Sequence, residues 1–225
     1  MENNGLTFAE ELFLLALDDE KGVLIEMPVM ALEYGLVGGL LMELALMNRI
    51  DTDLEKLILL DNSPTGDELY DKILEIVGTF SQDKSTSFWI KQIARDFTEL
   101  KGEILKRLIE KKILKQEEHK ILWVFSKRCY PMINFKQEKE VKTRIRDMVT
   151  SEDIPEYRDI MLLALTNSCG LLDQVFKAGE LEKYQERIEN LSRFDLIGQA
   201  VNKAVSDIHK LISAAVAYVI VGPPA

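Results

Sequence analysis

The sequence contains little histidine and little cysteine. Its 225 residues include two histidines, His119 and His209, and two cysteines, Cys129 and Cys169, which lie far apart without a C-x-x-C pair. Disulfide frameworks and thiolate zinc sites need more cysteines at closer spacing, so both are excluded. Neither histidine has a second histidine at ligand spacing, so the chain has too few histidines for a typical metal site or for most histidine-based catalysis. We therefore expect no metal, no cofactor and no catalytic centre, and we predict that the protein is not an enzyme.

Long apolar runs are also scarce. The longest, residues 211–221, is shorter than the ~20 residues that cross a bilayer. The acidic N-terminal stretch MENNGLTFAEE lacks the basic segment of a secretory signal, so we expect a cytoplasmic protein. With 47% hydrophobic and 29% charged residues the composition is that of a globular chain and excludes wholesale disorder. The length allows a sizeable core, and we interpret residues 1–225 as a single domain.

Positive charge is in deficit overall but is concentrated in one block. The chain carries 28 Lys and Arg against 38 Asp and Glu, a formal net charge of -10. Between Trp89 and Val149 the balance reverses to 16 basic against 9 acidic residues. A basic block in an acidic chain predicts one face that meets an anion while the rest repels it. The alternative, to which we give equal weight, is that these charges lie on ordinary solvated helix faces.

Helical patterns dominate the chain. Thr7 and Glu10 have the spacing of a capping box, and residues 35–47 (GLVGGLLMELALM) are apolar all round, which predicts a central buried helix. The glycines of this stretch lack the spacing of a phosphate-binding loop, and we interpret them as allowing a sharp helix start and close packing. Further helices are predicted over residues 68–80, 85–112 with a break near Asp96, 137–150, 155–176, 183–194 and 196–220.

Two short β ribbons are predicted between the helices. In the first, residues 49–50 pair with 56–60; in the second, residues 113–114 and 121–125 flank the polar turn 115–120. We therefore predict a mainly α fold, a single globular helical domain around the central apolar helix, with small β ribbons.

The basic block contains the cations that we interpret as an anion-binding surface. If residues 88–95 are helical, Lys91 and Arg95 lie one turn apart on one face. Lys101 and the lysines after it continue the charge through the next helix and its exit. This arrangement predicts attraction to anionic head groups.

An apolar segment, residues 128–135 (RCYPMINF), follows the basic block. We interpret it as an exposed hairpin that presents Tyr130, Met132, Ile133 and Phe135. Basic residues beside an apolar tip that enters the interface are typical of a peripheral membrane protein. A protein–protein contact or a core lid explains the segment equally well.

Several segments, taken together, resemble the Golgi phosphoprotein 3 family. LTFAEELFLLALDDEKG is similar to the opening helix and acidic turn of the family, and GLVGGLLMELALMNRI to its Gly-Leu-Arg-Gly segment. SPTGDELYD is similar to its Pro-Thr-Gly-Asp turn and LKRLIEKKIL to its Leu-Val-Glu-Lys-Gly helix end. Tyr130-Pro131 and MLLALTNSCGLLDQVF extend the resemblance to almost the whole chain.

The resemblance implies a mainly helical fold without catalysis, and a minimal, prokaryotic-type member. Eukaryotic members bind phosphatidylinositol 4-phosphate on Golgi membranes and act as adaptors that sort glycosyltransferases into vesicles. Their shallow head-group pocket uses a tryptophan and three arginines, and only one cation is retained at the corresponding positions here, which are Pro28, Val37, Thr98 and Lys101. Since bidentate arginines make the strongest bonds to phosphate, Lys91, Arg95 and Lys101 are expected to form a weaker and less selective anion site.

We therefore expect a cytoplasmic, peripherally membrane-associated adaptor that binds phosphoinositide or other anionic lipid head groups. Its expected partner is an anionic phospholipid surface, and the pattern also allows self-association and a protein cargo. Two alternatives stay open. One is a winged-helix-like nucleic-acid-binding protein with residues 101–112 on a recognition helix, which the net charge of -10 disfavours. The other is a scaffold that oligomerises through residues 128–135.

Overall fold

The structure, a computed structural model, describes residues 5–19, 21–53, 56–79, 84–121 and 125–207. Within these ranges it contains α1 (Phe8–Leu15), α2 (Ala31–Leu46), α3 (Glu68–Thr79), α4 (Thr86–Ile93), α5 (Phe97–Glu110), α6 (Lys136–Thr150), α7 (Tyr157–Ser168) and α8 (Glu180–Ser192). Two antiparallel ribbons pair β1 (Ile50–Thr52) with β2 (Leu57–Leu59), and β3 (Glu117–Ile121) with β4 (Phe125–Cys129). Residues 196–207, named here the C-terminal segment, are also helical. The predicted mainly α fold with small ribbons is confirmed.

The first helix begins with the predicted capping box. The Thr7 hydroxyl accepts the Glu10 N–H at 3.3 Å, and the Glu10 carboxylate accepts the Thr7 N–H at 2.7 Å. Every residue of α1 is buried, because the helix packs against α2, α5, α6 and α7. This short segment therefore forms the inside of the helical assembly.

The second helix is the predicted central apolar helix, and glycine lets its neighbours approach it. A Cβ on Gly39 would lie 2.8 Å from the backbone nitrogen of Ala9 on α1, and a Cβ on Gly38 would lie 2.5 Å from a methyl of Val201. Real Cβ atoms do not come this close to other atoms, so the role predicted for these glycines in close packing is confirmed. Their predicted role in starting the helix is wrong, since α2 begins at Ala31.

Helix boundaries follow local signals in most places. The predicted break near Asp96 is confirmed as a 3₁₀ turn, Ala94–Asp96, between α4 and α5. The predicted helix 155–176 is shorter in the structure, because Gly170 adopts a φ of 70° that ends α7. The last predicted helix is confirmed to residue 207, and its predicted continuation to 220 lies outside the described residues. No helix in the described part of the chain has both the length and the apolar character needed to cross a bilayer.

The second ribbon lies later in the chain than predicted. Ile113 and Leu114, predicted as its first strand, are buried core residues after α5, and Leu114 makes only an isolated bridge to Met132. The polar residues predicted as the turn instead supply β3, in which Glu117 pairs with Cys129. Polar residues are suited to such a strand because a ribbon at the surface can face water.

The predicted hairpin of residues 128–135 is wrong. Arg128 and Cys129 complete β4. The following residues pair with the exit of α5, where the Ile133 N–H donates to the Ile113 carbonyl at 2.8 Å and the Lys115 N–H donates to the Pro131 carbonyl at 3.1 Å. The segment therefore closes against α5 and does not fold back on itself.

Candidate functional site

Most cations of the basic block are ion-paired within the fold. Several of their partners lie in α1, α7, α8 and the C-terminal segment, so these pairs connect elements that are distant in sequence. The pairs that join residues far apart in the sequence include Lys91–Asp207 at 3.0 Å, Arg107–Asp67 at 2.6 Å, Lys111–Glu10 at 2.7 Å, Arg144–Glu11 at 2.5 Å and Arg146–Glu180 at 2.5 Å. These cations help to hold the helices together, which leaves few of them for an external anion.

The carboxylates of α1 are part of this framework. Glu10 and Glu11 are both 0% exposed. Burial raises the pKa of Glu11, while the charges of Arg144 and Arg158 act in the opposite direction. Arg158 also donates to Glu43 at 3.0 Å and lies 4.0 Å from the ring centroid of Phe8. These groups therefore have partners within the chain and serve the structure.

The Ser-Pro-Thr-Gly-Asp turn has a similar structural role. Arg107 on α5 holds Asp67 through two bonds of 2.8 and 2.6 Å, and Asp67 also accepts the Leu69 N–H at the start of α3. Burial alone would raise the pKa of Asp67, but the hydrogen bonds and charge of Arg107 outweigh it and the pKa is lowered. Thr65 is bound to Asp71 through its N–H and its hydroxyl. The turn thus joins α3 to α5.

Two of the four expected head-group positions belong to the framework. Val37 lies in α2 and is 0% exposed, so it does not reach the surface. Pro28 is half-buried in the loop before α2, with its ring beside Gly170. Neither position presents a charge or a hydrogen-bond donor to solvent.

The other two expected positions lie on the surface of α5. Thr98 is exposed, and Lys101, one turn later, is half-exposed with its Nζ 6.0 Å from the ring centroid of Phe97. Arg95, three residues before Thr98 in the 3₁₀ turn, is exposed as well. Among the described residues, Arg95 and Lys101 meet no carboxylate, whereas Lys91 is bound to Asp207. Arg95, Thr98 and Lys101 are named here the cationic edge.

The expected apolar anchor is only partly exposed and lies away from the cationic edge. Tyr130 is half-buried and Met132 is 6% exposed, whereas Ile133 and Phe135 are 50% and 49% exposed. The Ile133 N–H donates to Ile113, which lies past the end of α5 at Glu110. From Lys101 to that end the helix rises ~14 Å. The structure therefore does not unite the basic and apolar residues in one patch.

The described residues show no arrangement typical of metal or thiol chemistry. No group of three or more His, Cys, Asp or Glu side chains in the described ranges is placed to hold a metal ion. Both cysteines are buried free thiols. Burial raises the pKa of Cys169 to about 12, so this thiol is protonated at neutral pH and lacks the reactivity of a thiolate.

Sequence reasoning missed two surface cavities. One of about 610 Å³ lies between α7, α8 and the C-terminal segment. Another of about 270 Å³ lies at the start of α4, where Ser85, Thr86 and Ser87 meet Lys203. The polar run before α4 was a usable signal for the second cavity, but only the tertiary fold brings Lys203 to it.

A comparison with known protein families matches this chain to the model of the Golgi phosphoprotein 3 family over residues 8–208. The matched range begins at the first residue of α1 and extends one residue beyond the described C-terminal segment. It includes the ion-paired framework, the cationic edge and the cavity at the start of α4.

Proposed function

The chain belongs to the Golgi phosphoprotein 3 family, and on this premise we propose that it binds anionic phospholipid head groups at a membrane surface, without catalysis. The observation that carries the proposal is the cationic edge. Arg95 and Lys101 keep their charges open to solvent, while most other cations of the basic block are bound to carboxylates of the same chain.

The cationic edge supports a weak and broadly anionic interaction. A Lys or Arg near an anionic membrane contributes ~1 kcal/mol, so two such residues favour reversible binding. Arg95 and Lys101 are six residues apart with Thr98 between them, and the other two expected pocket positions, Pro28 and Val37, add no charge. With a single arginine, the edge offers few bidentate bonds to a phosphate. We therefore expect salt-sensitive binding with little preference among anionic lipids, phosphatidylinositol 4-phosphate included.

Exposed apolar residues add a second contact in this proposal. Ile133 and Phe135 lie past the C-terminal end of α5, which is ~14 Å along the helix from Lys101, and one flat membrane surface can contact both groups. Their half-exposed side chains bury apolar area at the interface once the cations have brought the surface close. Cytoplasmic location and an adaptor role complete the proposal, and both rest on family membership alone.

The nucleic-acid alternative receives less support. Arg107 and Lys111, two cations of the residues 101–112 predicted as its recognition helix, are bound to Asp67 and Glu10. The ribbon that follows α5 begins with Glu117 and Glu118, which repel phosphate. A protein that shifted duplex DNA at low salt and ignored anionic vesicles would reverse this preference.

Vesicle co-sedimentation of the full chain tests the proposal. Vesicles of phosphatidylcholine alone are compared with vesicles that also contain phosphatidylserine or phosphatidylinositol 4-phosphate, each at low and moderate salt. The variant Arg95→Glu/Lys101→Glu is paired with Lys177→Glu/Lys183→Glu, which makes the same change in net charge on two exposed lysines at the start of α8. Both doubles are checked for native circular dichroism.

The expected result is binding to both anionic vesicles that falls with salt and is lost in the first variant only. An equal loss of vesicle binding in both variants would show that binding depends only on net charge. That result would overturn the cationic edge as the site. No sedimentation of the wild-type chain with any anionic vesicle would overturn the proposed function itself.

A further inference from the structure

A second polar site lies at the start of α4, at the opposite end of that helix from the cationic edge. It is a cavity of about 270 Å³ at the surface. Three elements meet there: the end of the β1 strand region, the start of α4 and the C-terminal segment. The residues that line it are Asp53, Ser85, Thr86, Ser87, Leu196, Gln199, Ala200 and Lys203.

The backbone of α4 offers two free donors at this cavity. Ser85 caps the helix, since its hydroxyl accepts the Phe88 N–H at 3.2 Å and its carbonyl accepts the Trp89 N–H at 3.2 Å. The N–H groups of Thr86 and Ser87 find no acceptor among the described residues. First-turn amides of this kind, together with the positive end of the helix dipole, attract an anion.

Two largely buried residues, Thr86 and Ser87, bring hydroxyl groups to the same cavity. Thr86 is 6% exposed and Ser87 is 8% exposed, and both side chains line the cavity. Neither hydroxyl is hydrogen-bonded to any described residue. Both residues are more than nine-tenths buried yet line the cavity, so their hydroxyl groups are open to a ligand that enters it.

The charges around the cavity favour an anion as that partner. Lys203 of the C-terminal segment is exposed and meets no carboxylate in the described part of the chain. Asp53 on the opposite rim carries the opposing charge, and its Oδ1 accepts the Lys56 N–H at 2.7 Å. Among the described residues that line the cavity, one lysine, two amides and two hydroxyls therefore face a single carboxylate.

We propose that this cavity binds a small tetrahedral oxyanion, a phosphate or a phosphate monoester group. Its volume lies below the ~300 Å³ at which pockets for drug-sized ligands begin, so it suits a compact anion. Ser87 and Arg95 are eight residues apart, or ~12 Å along the helix, which makes this site separate from the cationic edge. The inference stands on different residues from the proposed function and goes beyond it.

A titration of the isotope-labelled full chain with inorganic phosphate, followed by amide NMR, tests the proposal. Sodium chloride at matched ionic strength is the reference. We expect saturable shifts at the amides of Thr86 and Ser87. Lys203→Gln should weaken phosphate binding about two- to fivefold, and Thr86→Val, which removes a bond to a charged ligand, about tenfold or more. Asp53→Asn, which keeps an oxygen for the Lys56 N–H, should strengthen it about two- to fivefold.

The matched control is Lys177→Gln, an exposed lysine on another element, which should leave the phosphate affinity unchanged. Shifts that do not saturate, or equal losses in Lys203→Gln and Lys177→Gln, would overturn the proposal. Lys203→Gln and Asp53→Asn alter exposed residues and should leave the fold intact. Their opposite effects on phosphate affinity therefore test the proposal even if Thr86→Val does not fold.

The same variants separate two sources of the phosphate. If Lys203→Gln also weakens sedimentation with phosphatidylinositol 4-phosphate vesicles, the ligand is a lipid head group. If its vesicle binding stays at the wild-type level while phosphate affinity falls, the ligand is a free phosphate or a soluble monoester. Both outcomes support the site. Failure of the Arg95→Glu/Lys101→Glu experiment would leave this result intact, because it concerns the other end of the helix.

Discussion

The fully buried carboxylate of Glu11 on α1 accepts a hydrogen bond from Arg144 on α6 at 2.5 Å. Arg158 on α7 approaches the other oxygen of Glu11 at 3.5 Å and is bound to Glu43 on α2. Four helices therefore meet at one acidic residue of the first helix. Arg144 is one of the 16 cations counted in the basic block, and in the structure it neutralises a charge inside the protein.

Removing Arg144 should destabilise the fold strongly. Arg144→Met leaves Glu11 buried with only the longer contact to Arg158, and breaking a buried ion pair typically costs ~3–5 kcal/mol. We expect a loss of about 3 kcal/mol or more in the free energy of unfolding, measured by urea denaturation with circular dichroism. Glu11→Gln should cost less, because a neutral amide is cheaper to bury and still accepts from Arg144.

The control for this experiment is an exposed ion pair. Lys72 lies 2.6 Å from Glu99 at the surface between α3 and α5. Lys72→Met should change the free energy of unfolding by less than about 1 kcal/mol, as exposed pairs do. If Arg144→Met cost no more than Lys72→Met, the proposed stabilising role of the buried network would be wrong.

Replacing each of two helical glycines with alanine should change the stability of the fold in opposite directions. A Cβ at Gly39 meets the backbone of Ala9, whereas a Cβ at Gly102 on α5 has nothing within 4 Å. Gly39→Ala forces α1 and α2 apart, and such overpacking costs ~1–3 kcal/mol. Gly102→Ala should stabilise the helix by ~0.5–1 kcal/mol. Thermal unfolding checks both, and similar melting temperatures for the two variants would contradict the close approach of α1 and α2.

Local structure followed from the sequence because its causes are local. The capping box of Thr7 and Glu10 and the break at Asp96 each depend on residues within one or two turns. The second ribbon was misplaced because Ile113 and Leu114 look like a strand, yet the core at the end of α5 takes them in. Packing against distant helices determines the position of these two residues, and a local sequence pattern does not indicate that packing.

The candidate site was harder to predict for the same reason. In sequence, Lys91 and Arg95 are equivalent cations one turn apart. In the structure Lys91 is bound to Asp207, 116 residues later, and Arg95 is exposed without such a partner. Composition counts both charges alike, whereas only the fold shows which of them an external anion can reach.

The carboxyl group of Asp195 should make stability depend on pH. It is 2% exposed, and its Oδ2 accepts the Gly198 N–H at 2.5 Å at the start of the C-terminal segment. Burial raises the pKa of Asp195 from 3.8 to about 6, although the bonds from Gly198 and Ile197 favour the charged form. Because the folded-state pKa is the higher one, this group's contribution to stability is complete below about pH 4 and is lost as the pH rises through 6.

Replacing Asp195 with Asn isolates this effect. The amide oxygen of Asn still caps Gly198 and does not ionise. Each pH unit between the two pKa values changes the free energy of unfolding by up to ~1.4 kcal/mol. We therefore expect the stability difference to move in favour of Asp195→Asn by about 2 to 3 kcal/mol between pH 4 and pH 7, in urea titrations at each pH. If the free energy of unfolding of the variant and of the wild type changed in parallel with pH, the prediction would be refuted. Asp153→Asn, at an exposed carboxylate, is the control.

Arginine at two expected head-group positions should have opposite consequences. Val37 is fully buried in α2, so Val37→Arg places a charge in the core without a partner, and the fold should lose ~3 kcal/mol or more. Thr98 is exposed between Arg95 and Lys101. Thr98→Arg should therefore fold normally and strengthen binding to anionic vesicles about fivefold at low salt, from ~1 kcal/mol for an added cation.

The gain in vesicle binding from Thr98→Arg supports the cationic edge only if an arginine added elsewhere on the surface gives a smaller gain. Thr79→Arg, at an exposed threonine that ends α3, adds the same charge elsewhere and should raise vesicle binding less. Moderate salt should reduce the difference, because it screens exposed charges beyond ~8–10 Å. Equal gains from the two variants would show that binding follows net charge alone.

A Val37→Arg protein that folds normally and binds vesicles more tightly would show that α2 reaches the membrane, and the site would then include α2 as well as α5.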